Sequence, residues 1–357
     1  MIKRKNAHIL ILLFLAVLSQ AVPVLGGDDY ITDSDGIWVY ALHSNEAVLE
    51  SVTVTLYGET IIPHIIDGYT VTGIGFAAFE AQSEITALVF PDSLRDIGDN
   101  AFYACAGLTS VTLPKGITRI GANPFGFCDA LMFIRVSEGN TMYTDHNGIL
   151  YNVDGTLLIA YPAGLACHYD VLYGTERIGP YAFEGCLGLT GVILPQSIRE
   201  IGEYAFYSCL ALNIINIPQG VTIINGHTFG QCVSLEKVIL PVSVTEIGGC
   251  AFYNCESLSD IVLPNHLSKI GFYAFYGCES LTSLTIPDEV TAIGEYAFCG
   301  CVHLESLIIP PGVREIGENA FLDCPSLTLT VAENSFAAEY ALAHDIPTVF
   351  FEHIGDL

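Results

Sequence analysis

Positive charge is scarce in this sequence. Its 357 residues include 12 Lys and Arg against 39 Asp and Glu, and the formal net charge is −27. A protein that binds nucleic acid needs a basic surface to neutralise the phosphates. The composition therefore excludes nucleic acid as a partner and disfavours anionic membrane surfaces, whereas it favours solubility and basic partners.

Catalytic and metal-binding motifs are also missing. The sequence has no Gly-x-Ser-x-Gly, no His-Glu-x-x-His, no glycine-rich phosphate loop and no Cys-x-x-Cys. We therefore expect no catalysis, no cofactor and no metal site. The densest group of polar residues lies between residues 145 and 170, and its simplest interpretation is a set of solvated turn residues. An enzyme or metal site in this segment is the weakest alternative. The members of this group are Asp145, His146, Cys167, His168 and Asp170.

Long apolar runs are limited to one, at residues 9–18. Three basic residues precede it, and small residues within 19–26 offer cleavage sites, so that residues 1–26 are predicted to be a signal peptide. Gln20 and Pro23 interrupt the run before it reaches the roughly 20 residues that a membrane span needs. We expect a secreted or cell-surface protein with no membrane insertion after cleavage.

The sequence does contain a strict repeat, marked by an approximate Ile-Gly-x-x-Ala-Phe motif. Every step between neighbouring copies is 23 residues except one, which is 58. A period of 20–29 residues with this apolar pattern predicts a leucine-rich-repeat solenoid. The motif isoleucines are Ile74, Ile97, Ile120, Ile178, Ile201, Ile224, Ile247, Ile270, Ile293 and Ile316.

One copy shows how a coil is built. In "LTSLTIP" apolar and polar residues alternate, which predicts a strand with Leu281, Leu284 and Ile286 facing inward. "VTAIG" follows as a second short strand, and "EYAFCGC" is predicted to close the coil as a compact helical or 3₁₀ turn. A single coil cannot bury its apolar face alone, but a stack can. We expect the phenylalanines to form one buried column and the first strands to form a parallel β-sheet on the concave face.

Nine of the twelve cysteines recur at one position of the repeat. An even number of cysteines in a secreted chain suggests disulfides. However, equivalent positions hold their side chains parallel, which suits a disulfide poorly and favours a reduced, buried column. Cys167, Cys250 and Cys299 lie outside this phase, and Cys299 is expected to be exposed. The nine are Cys105, Cys128, Cys186, Cys209, Cys232, Cys255, Cys278, Cys301 and Cys324.

The full pattern is Leu-x-x-Leu-x-Leu-Pro-x-x-Val-x-x-Ile-Gly-x-x-Ala-Phe-x-x-Cys, and it extends from about Ile61 to Val331. It resembles the repeat of the BspA-like bacterial surface proteins, the leucine-rich-repeat class first recognised in treponemes. This resemblance implies a secreted or surface-exposed protein that mediates protein–protein interaction or adhesion. The repeat itself specifies only a scaffold.

The ends of the array and its one long step divide the chain. The dipeptides Asn147-Gly148 and Asp154-Gly155 favour tight hairpins and predict a β-meander inserted in the stack, which could project as a flap. The predicted units are a signal peptide at 1–26, an N-terminal β cap at 27–72, repeats at 73–136, the inserted meander at 137–173, repeats at 174–331 and a helical cap at 332–357.

The candidate binding surface is a column of outward-facing residues, two positions before each periodic proline. Five of the nine are aliphatic although this face should meet water. Either they reflect the ordinary preference of strands for β-branched residues, or they form a stripe that binds a partner protein of host or microbial origin. The alternative function is a passive structural spacer. The column comprises Val89, Thr112, Arg135, Ile193, Asn216, Ile239, Val262, Thr285 and Ile308.

A second column precedes the motif alanine and consists mainly of tyrosine and asparagine. Because tyrosine is amphipathic, we expect half-buried packing between coils rather than ligand contact. Its members include Asn100, Asn123, Tyr181, Tyr204, Tyr273, Tyr296 and Asn319.

Overall fold

The computed structural model of the protein describes residues 30–351. The predicted signal peptide at 1–26 and the last six residues lie outside this range. The described chain is a parallel-strand solenoid in which each coil contributes two short strands, one to each of two rows.

The first row contains the strands of the "LTSLTIP" type and is divided into three sheets. The first sheet consists of β4 (Gly58–Ile61), β7 (Ile85–Val89), β9 (Ser110–Leu113) and β11 (Phe133–Val136). The second consists of β15 (His168–Asp170), β17 (Gly191–Ile193), β19 (Ile214–Asn216), β21 (Lys237–Ile239) and β23 (Asp260–Ile261). The third consists of β25 (Ser283–Thr285), β27 (Ser306–Ile309), β29 (Thr328–Val331) and β30 (Thr348–Phe350).

The second row contains the strands that end at or near the motif isoleucine. Its N-terminal sheet includes β6 (Tyr69–Ile74), β8 (Asp96–Ile97) and β10 (Arg119–Ile120). The middle sheet includes β14 (Leu157–Ala160), β16 (Arg177–Ile178) and β18 (Glu200–Ile201). The C-terminal sheet is β20 (Ile223–Ile224), β22 (Glu246–Ile247), β24 (Lys269–Ile270), β26 (Ala292–Ile293) and β28 (Glu315–Ile316).

The predicted alternation within the first strand is confirmed. Leu281, Leu284 and Ile286 are buried, whereas Ser283 and Thr285 are exposed. The two in-register rows place equivalent inward residues of successive coils above one another, so that the stack buries what one coil would leave exposed.

The segment that closes each coil is compact, as predicted, but it is a series of turns rather than a helix or 3₁₀ turn. Two residues per coil have left-handed backbone conformations, such as Tyr296 (φ 53°) and Gly300 (φ 73°). Alternate amides donate within the coil and to the next coil: Ala297 donates to the Gly294 carbonyl, and Phe298 donates to the Ala320 carbonyl. A helix would direct all its amides along its own axis and leave none for the neighbouring coil.

The phenylalanine column is confirmed. From Phe183 to Phe321 each ring stacks on the next, with centroids between 4.8 and 5.8 Å apart. Tyr161 continues this stack beyond Phe183 at 5.0 Å. A shorter stack of the same kind joins Phe79, Phe102 and Phe125.

The hydrophobic core consists of two clusters that meet at the predicted meander. Its hairpin comprises β12 (Tyr143–His146) and β13 (Ile149–Asn152), and β13 pairs with β14. In β13, Ile149 and Tyr151 belong to the C-terminal cluster, and Leu150 belongs to the N-terminal one. The strand is therefore buried on both faces. The hypothesis that the meander projects as a flap is wrong, because its apolar residues complete both cores.

The described N-terminal and C-terminal ends of the solenoid have different structures. At the N-terminus β1 (Ile31–Thr32), β2 (Trp38–His43) and β3 (Glu46–Val52) pair in antiparallel order, β3 continues parallel to β6, and β5 (Ile65–Ile66) pairs with β6. Strand β3 ends at Val52, although apolar and polar residues continue to alternate in "ESVTVTLYG" at residues 50–58. At the C-terminus helix α1 (Phe336–Ala343) begins after Ser335, whose side chain accepts a hydrogen bond from the Ala338 amide.

The motif glycines allow the second row to form. A Cβ atom on Gly294 would lie 2.4 Å from the backbone of Gly271, and a Cβ on Gly98 would lie 2.6 Å from the backbone of Gly75. Asn225 occupies this position after Ile224, and there the row is broken, because β18 and β20 do not pair. The Asn225 side chain donates to the Ile201 carbonyl at 2.7 Å instead.

Candidate functional site

The nine-residue column lies on the solvent face of the first row, and we call it the β-face column. Eight of its residues are exposed, and Ile308 is half-buried. Strand register aligns its members directly: Thr112 pairs with Arg135, Asn216 with Ile239, and Thr285 with Ile308. The register thus converts a sequence period into a continuous surface row.

Aliphatic side chains on this face are open to water. Val89 and Ile239 are each 42% exposed, Ile193 is 55% exposed and Val262 is 75% exposed. The neighbouring position of the same face adds Ile214 at 47%. Exposed apolar side chains grouped on one face are often found at contact sites between macromolecules.

The register also extends the column to residues that sequence analysis missed. Ile61 pairs with Val89, Asp170 with Ile193, and Thr330 with both Ile308 and Val349. Ile61 could have been found, because Pro63 follows it two positions later as in the other members, although Pro63 lies 28 rather than 23 residues before Pro91. The other three carry no such signal, since Leu172, Ala332 and Phe351 stand where the proline would be.

The inserted meander divides the column between Arg135 and Ile193. The amide of Ile134 donates to the Gly148 carbonyl at 2.7 Å, and the amide of Val136 donates to the Asp145 carboxylate at 2.9 Å. The hairpin therefore covers the edge of β11 that would otherwise pair with the next coil. The C-terminal part of the column, from Ile193 to Ile308, is the longer one.

The polar group of the meander is explained by local contacts. The Asp145 carboxylate accepts hydrogen bonds from the amides of Val136 and Gly148, and the His146 ring packs edge-on against Tyr151. His168 Nε2 lies 3.2 Å from the Asp170 carboxylate on β15. Over residues 30–351 no group of three or more His, Cys, Asp or Glu side chains is arranged to hold a metal ion.

Eight of the nine in-phase cysteines are buried, and Cys324 is half-buried. All twelve cysteines lie within the described residues, and none forms a disulfide. Each in-phase thiol donates to the carbonyl of the aromatic residue one coil earlier, as Cys255 Sγ does to the Phe229 carbonyl at 3.1 Å. Burial raises the pKa of Cys209 and Cys255 well above the ordinary thiol value, because the thiolate would lose its hydration.

The structure corrects the expectation for Cys299 and confirms the one for the tyrosine column. Cys299 is buried rather than exposed, because it lies close to Tyr273 and Tyr276 of the neighbouring coil. The tyrosines that precede the motif alanine are half-buried and stack between coils, as expected, with Tyr181 4.9 Å from Tyr204 and Tyr273 4.8 Å from Tyr296. They also hold the left-handed conformation that asparagine adopts more readily.

The sequence matches the BspA type leucine rich repeat region, in six copies, over residues 55–149, 170–258 and 222–341. These ranges cover well over half of the chain and include both repeat arrays. The chain belongs to the BspA type leucine-rich-repeat family. The solenoid, the two strand rows and the phenylalanine and cysteine columns described above are the three-dimensional form of this repeat.

Two solved structures, each with a TM-score of 0.50, share this BspA type fold. A leucine-rich repeat protein from Eubacterium ventriosum is 20% identical with a TM-score of 0.50, over 77% of this chain and 95% of that one. The pneumococcal vaccine antigen PcpA is 16% identical with a TM-score of 0.50, over 91% and 99%. A leucine rich cell surface protein from Faecalibacterium prausnitzii is 26% identical with a TM-score of 0.46, over 88% and 97%.

Other comparisons add limits. None of the curated proteins is significantly similar in sequence to this BspA type chain. Within residues 30–351 no helix has the length and apolar character that crossing a membrane requires.

Proposed function

We propose that this protein is secreted or displayed at the cell surface and binds another protein, of host or microbial origin, through its β-face column. It acts as a non-catalytic interaction or adhesion module. Membership of the BspA type family supports a repeat protein that works through contacts. The observation that carries the proposal is the row of exposed aliphatic side chains, chiefly Val89, Ile193, Ile239 and Val262, on a face directed to water.

The chemistry of the surface indicates what the partner should offer. Exposed aliphatic side chains favour an apolar patch on the partner, because burying apolar area is the main source of affinity at a contact. The net charge of −27 favours partners whose rim is basic, since complementary charge speeds association and excludes acidic proteins.

The test uses charged substitutions in the longer part of the column. The double variant Ile193→Asp and Ile239→Asp should bind a captured partner about tenfold more weakly or worse, because each aspartate would have to be desolvated in the contact. Partners are first captured from host and microbial surface proteins with the full chain, and affinities are then measured by surface plasmon resonance.

A matched control exists on the second row. Ile223 is 41% exposed but lies on the other strand row, in β20, so Ile223→Asp should leave affinity unchanged. If the column variant and the control bind a captured partner equally well, the partner binds another surface and the proposed use of the column fails. If no partner is captured, the passive spacer is the better interpretation and the proposal fails.

A further inference from the structure

The first strand row opens at one step, between β23 and β25. These strands belong to consecutive coils, and among the described residues no hydrogen bond joins them. At neighbouring steps the amide of Ser259 donates to the Glu236 carbonyl, and the amide of Glu305 donates to the Thr282 carbonyl. The equivalent bond from the Thr282 amide to the Ser259 carbonyl is not formed.

The opening is confined to this side of the solenoid. On the other row β24 pairs with β26, and the Phe252, Phe275 and Phe298 rings remain stacked at 5.2 Å. The two coils are therefore separated along β23 and β25. They stay joined just before these strands, where the Ser280 amide donates to the Glu256 carbonyl at 3.0 Å, and also at the core and at the second row.

The result is an open groove of about 450 Å³. Ile261, Leu263 and Leu284 form its floor, and each keeps 5–7% of its surface exposed. Val262 and Thr285 lie on its two sides. Val262 is the most exposed aliphatic residue of the column, at 75% against 42% for Ile239, and no strand pairs with β23 on the side of the groove.

We propose that this groove binds an extended segment of a partner polypeptide, whose main chain pairs with the open edges of β23 and β25. The inference rests on the proposed function and locates its central contact. An unpaired strand edge presents alternating donors and acceptors, and another extended main chain matches them at the same spacing. The groove volume lies within the range of natural ligand sites.

The charge of the residues near the groove indicates which side chains the bound segment should carry. The ends of the strands around the groove are acidic. Lys237 is already paired with Asp260 at 2.6 Å, and His266 lies 2.9 Å from the Glu289 carboxylate. A bound segment should therefore alternate apolar residues, which contact Val262 and the floor, with Lys or Arg. The exposed acids at these strand ends are Glu236, Glu256, Glu279, Asp288, Glu289 and Glu305.

The experiment uses a fluorescein-labelled peptide of alternating lysine and valine, titrated with the full chain and followed by fluorescence anisotropy. Val262→Arg should weaken binding about tenfold or more, because the arginine would occupy the groove and repel the lysines of the peptide. Ile223→Arg is the matched control, since it adds the same charge at an exposed aliphatic position on the second strand row, and it should leave affinity unchanged. A peptide N-methylated at alternate amides keeps every side chain and should also bind at least tenfold more weakly.

Equal affinity for the two arginine variants, equal affinity for the two peptides, or no binding at all would overturn the proposal. Hydrogen exchange gives an independent readout that also reports folding. The Thr282 amide should exchange rapidly in the free protein and slowly with the peptide bound; slow exchange in the free protein would show that the groove is closed.

The outcomes separate this inference from the proposed function. If the Ile193 and Ile239 variant loses a captured partner while Val262→Arg retains it, the β-face column stands and the groove proposal fails. If Val262→Arg loses the peptide but the column variant retains every captured partner, the groove binds peptide and the proposed use of the wider column fails.

Discussion

At the scale of the residue, the periodic cysteine satisfies a backbone group. The Phe229 carbonyl accepts the Cys232 amide of its own coil and the Cys255 thiol of the next. A small, weakly polar side chain with one donor suits this position, because it fills the space between stacked turns and leaves no polar atom unpaired. The same contact recurs at every in-phase cysteine, which explains why the repeat keeps this residue without forming disulfides.

Replacing one of these thiols should cost stability. Cys255→Ala removes a buried donor and its volume, and we expect the free energy of unfolding to fall by about 1–2 kcal/mol. Urea unfolding monitored by circular dichroism measures the change. Cys167→Ala is the control, since Cys167 is exposed, and equal stability of the two variants would contradict the assigned role.

Thiol reactivity should distinguish the exposed Cys167 from the buried in-phase cysteines. In native protein Cys167 should react rapidly with a thiol reagent, whereas Cys209 and Cys255 should not, because burial holds the pKa of both well above the ordinary value. Counting thiols before and after denaturation measures this. Twelve reactive thiols in denaturant support a reduced column, and a count near two or four would indicate disulfides instead.

At the scale of the element, the second strand row depends on the absence of a side chain. Motif glycines let successive coils approach until their backbones are in contact, as at Gly294 and Gly271. At Asn225 a side chain occupies this position, and the row breaks between β18 and β20. Among the ten motif copies, this break thus coincides with the one position where a side chain replaces the glycine.

A pair of glycine substitutions tests this explanation. In Gly294→Ala the new Cβ would lie 2.4 Å from backbone that cannot move away easily, so we expect a loss of about 1–3 kcal/mol. Gly226→Ala is the control, because its nearest neighbour would be 3.4 Å away. Thermal unfolding of both variants gives the comparison, and equal melting temperatures would rule the explanation out.

At the scale of the whole molecule, two stacks meet at the inserted meander. Side chains join them where regular strand pairing stops: the Tyr143 hydroxyl accepts the Ile120 amide at 3.0 Å, and Asn123 donates to the Glu184 carboxyl. Glu184 is buried, and desolvation raises the pKa of its carboxyl to about 8. An acid therefore lies in the contact between the two halves.

The stability of the protein should depend on this acid. The carboxyl binds its proton more tightly in the folded chain than in the unfolded one, whose ordinary value is 4.5. Its contribution is fully present below that value and is lost as pH rises towards 8. Since one unit of pKa difference corresponds to about 1.4 kcal/mol, we expect a loss of roughly 2–4 kcal/mol across this window.

Glu184→Gln is the matched variant, because the amide oxygen can still accept from Asn123 but cannot ionise. Melting temperatures of both proteins are compared from pH 5 to 8, and the difference between them removes the effect of other titrating groups. The variant should gain relative stability as pH rises. Parallel curves would show that Glu184 does not titrate in this window.

Much of this protein could be predicted from local pattern alone. The 23-residue period, the alternation in "LTSLTIP" and the recurring phenylalanine and cysteine determined the solenoid, the inward residues and the outward column, because each depends only on spacing along the chain. The β cap, the boundaries of the insert and the use of the column stay predictions.

Only the tertiary structure decided what depends on distances between coils. The left-handed turns follow from hydrogen bonds to the next coil, the meander is buried because two cores meet on it, and the groove beside Val262 exists because two coils separate on one side. No residue pattern records these features, because each arises where side chains and backbones distant in sequence either reach one another or fail to do so.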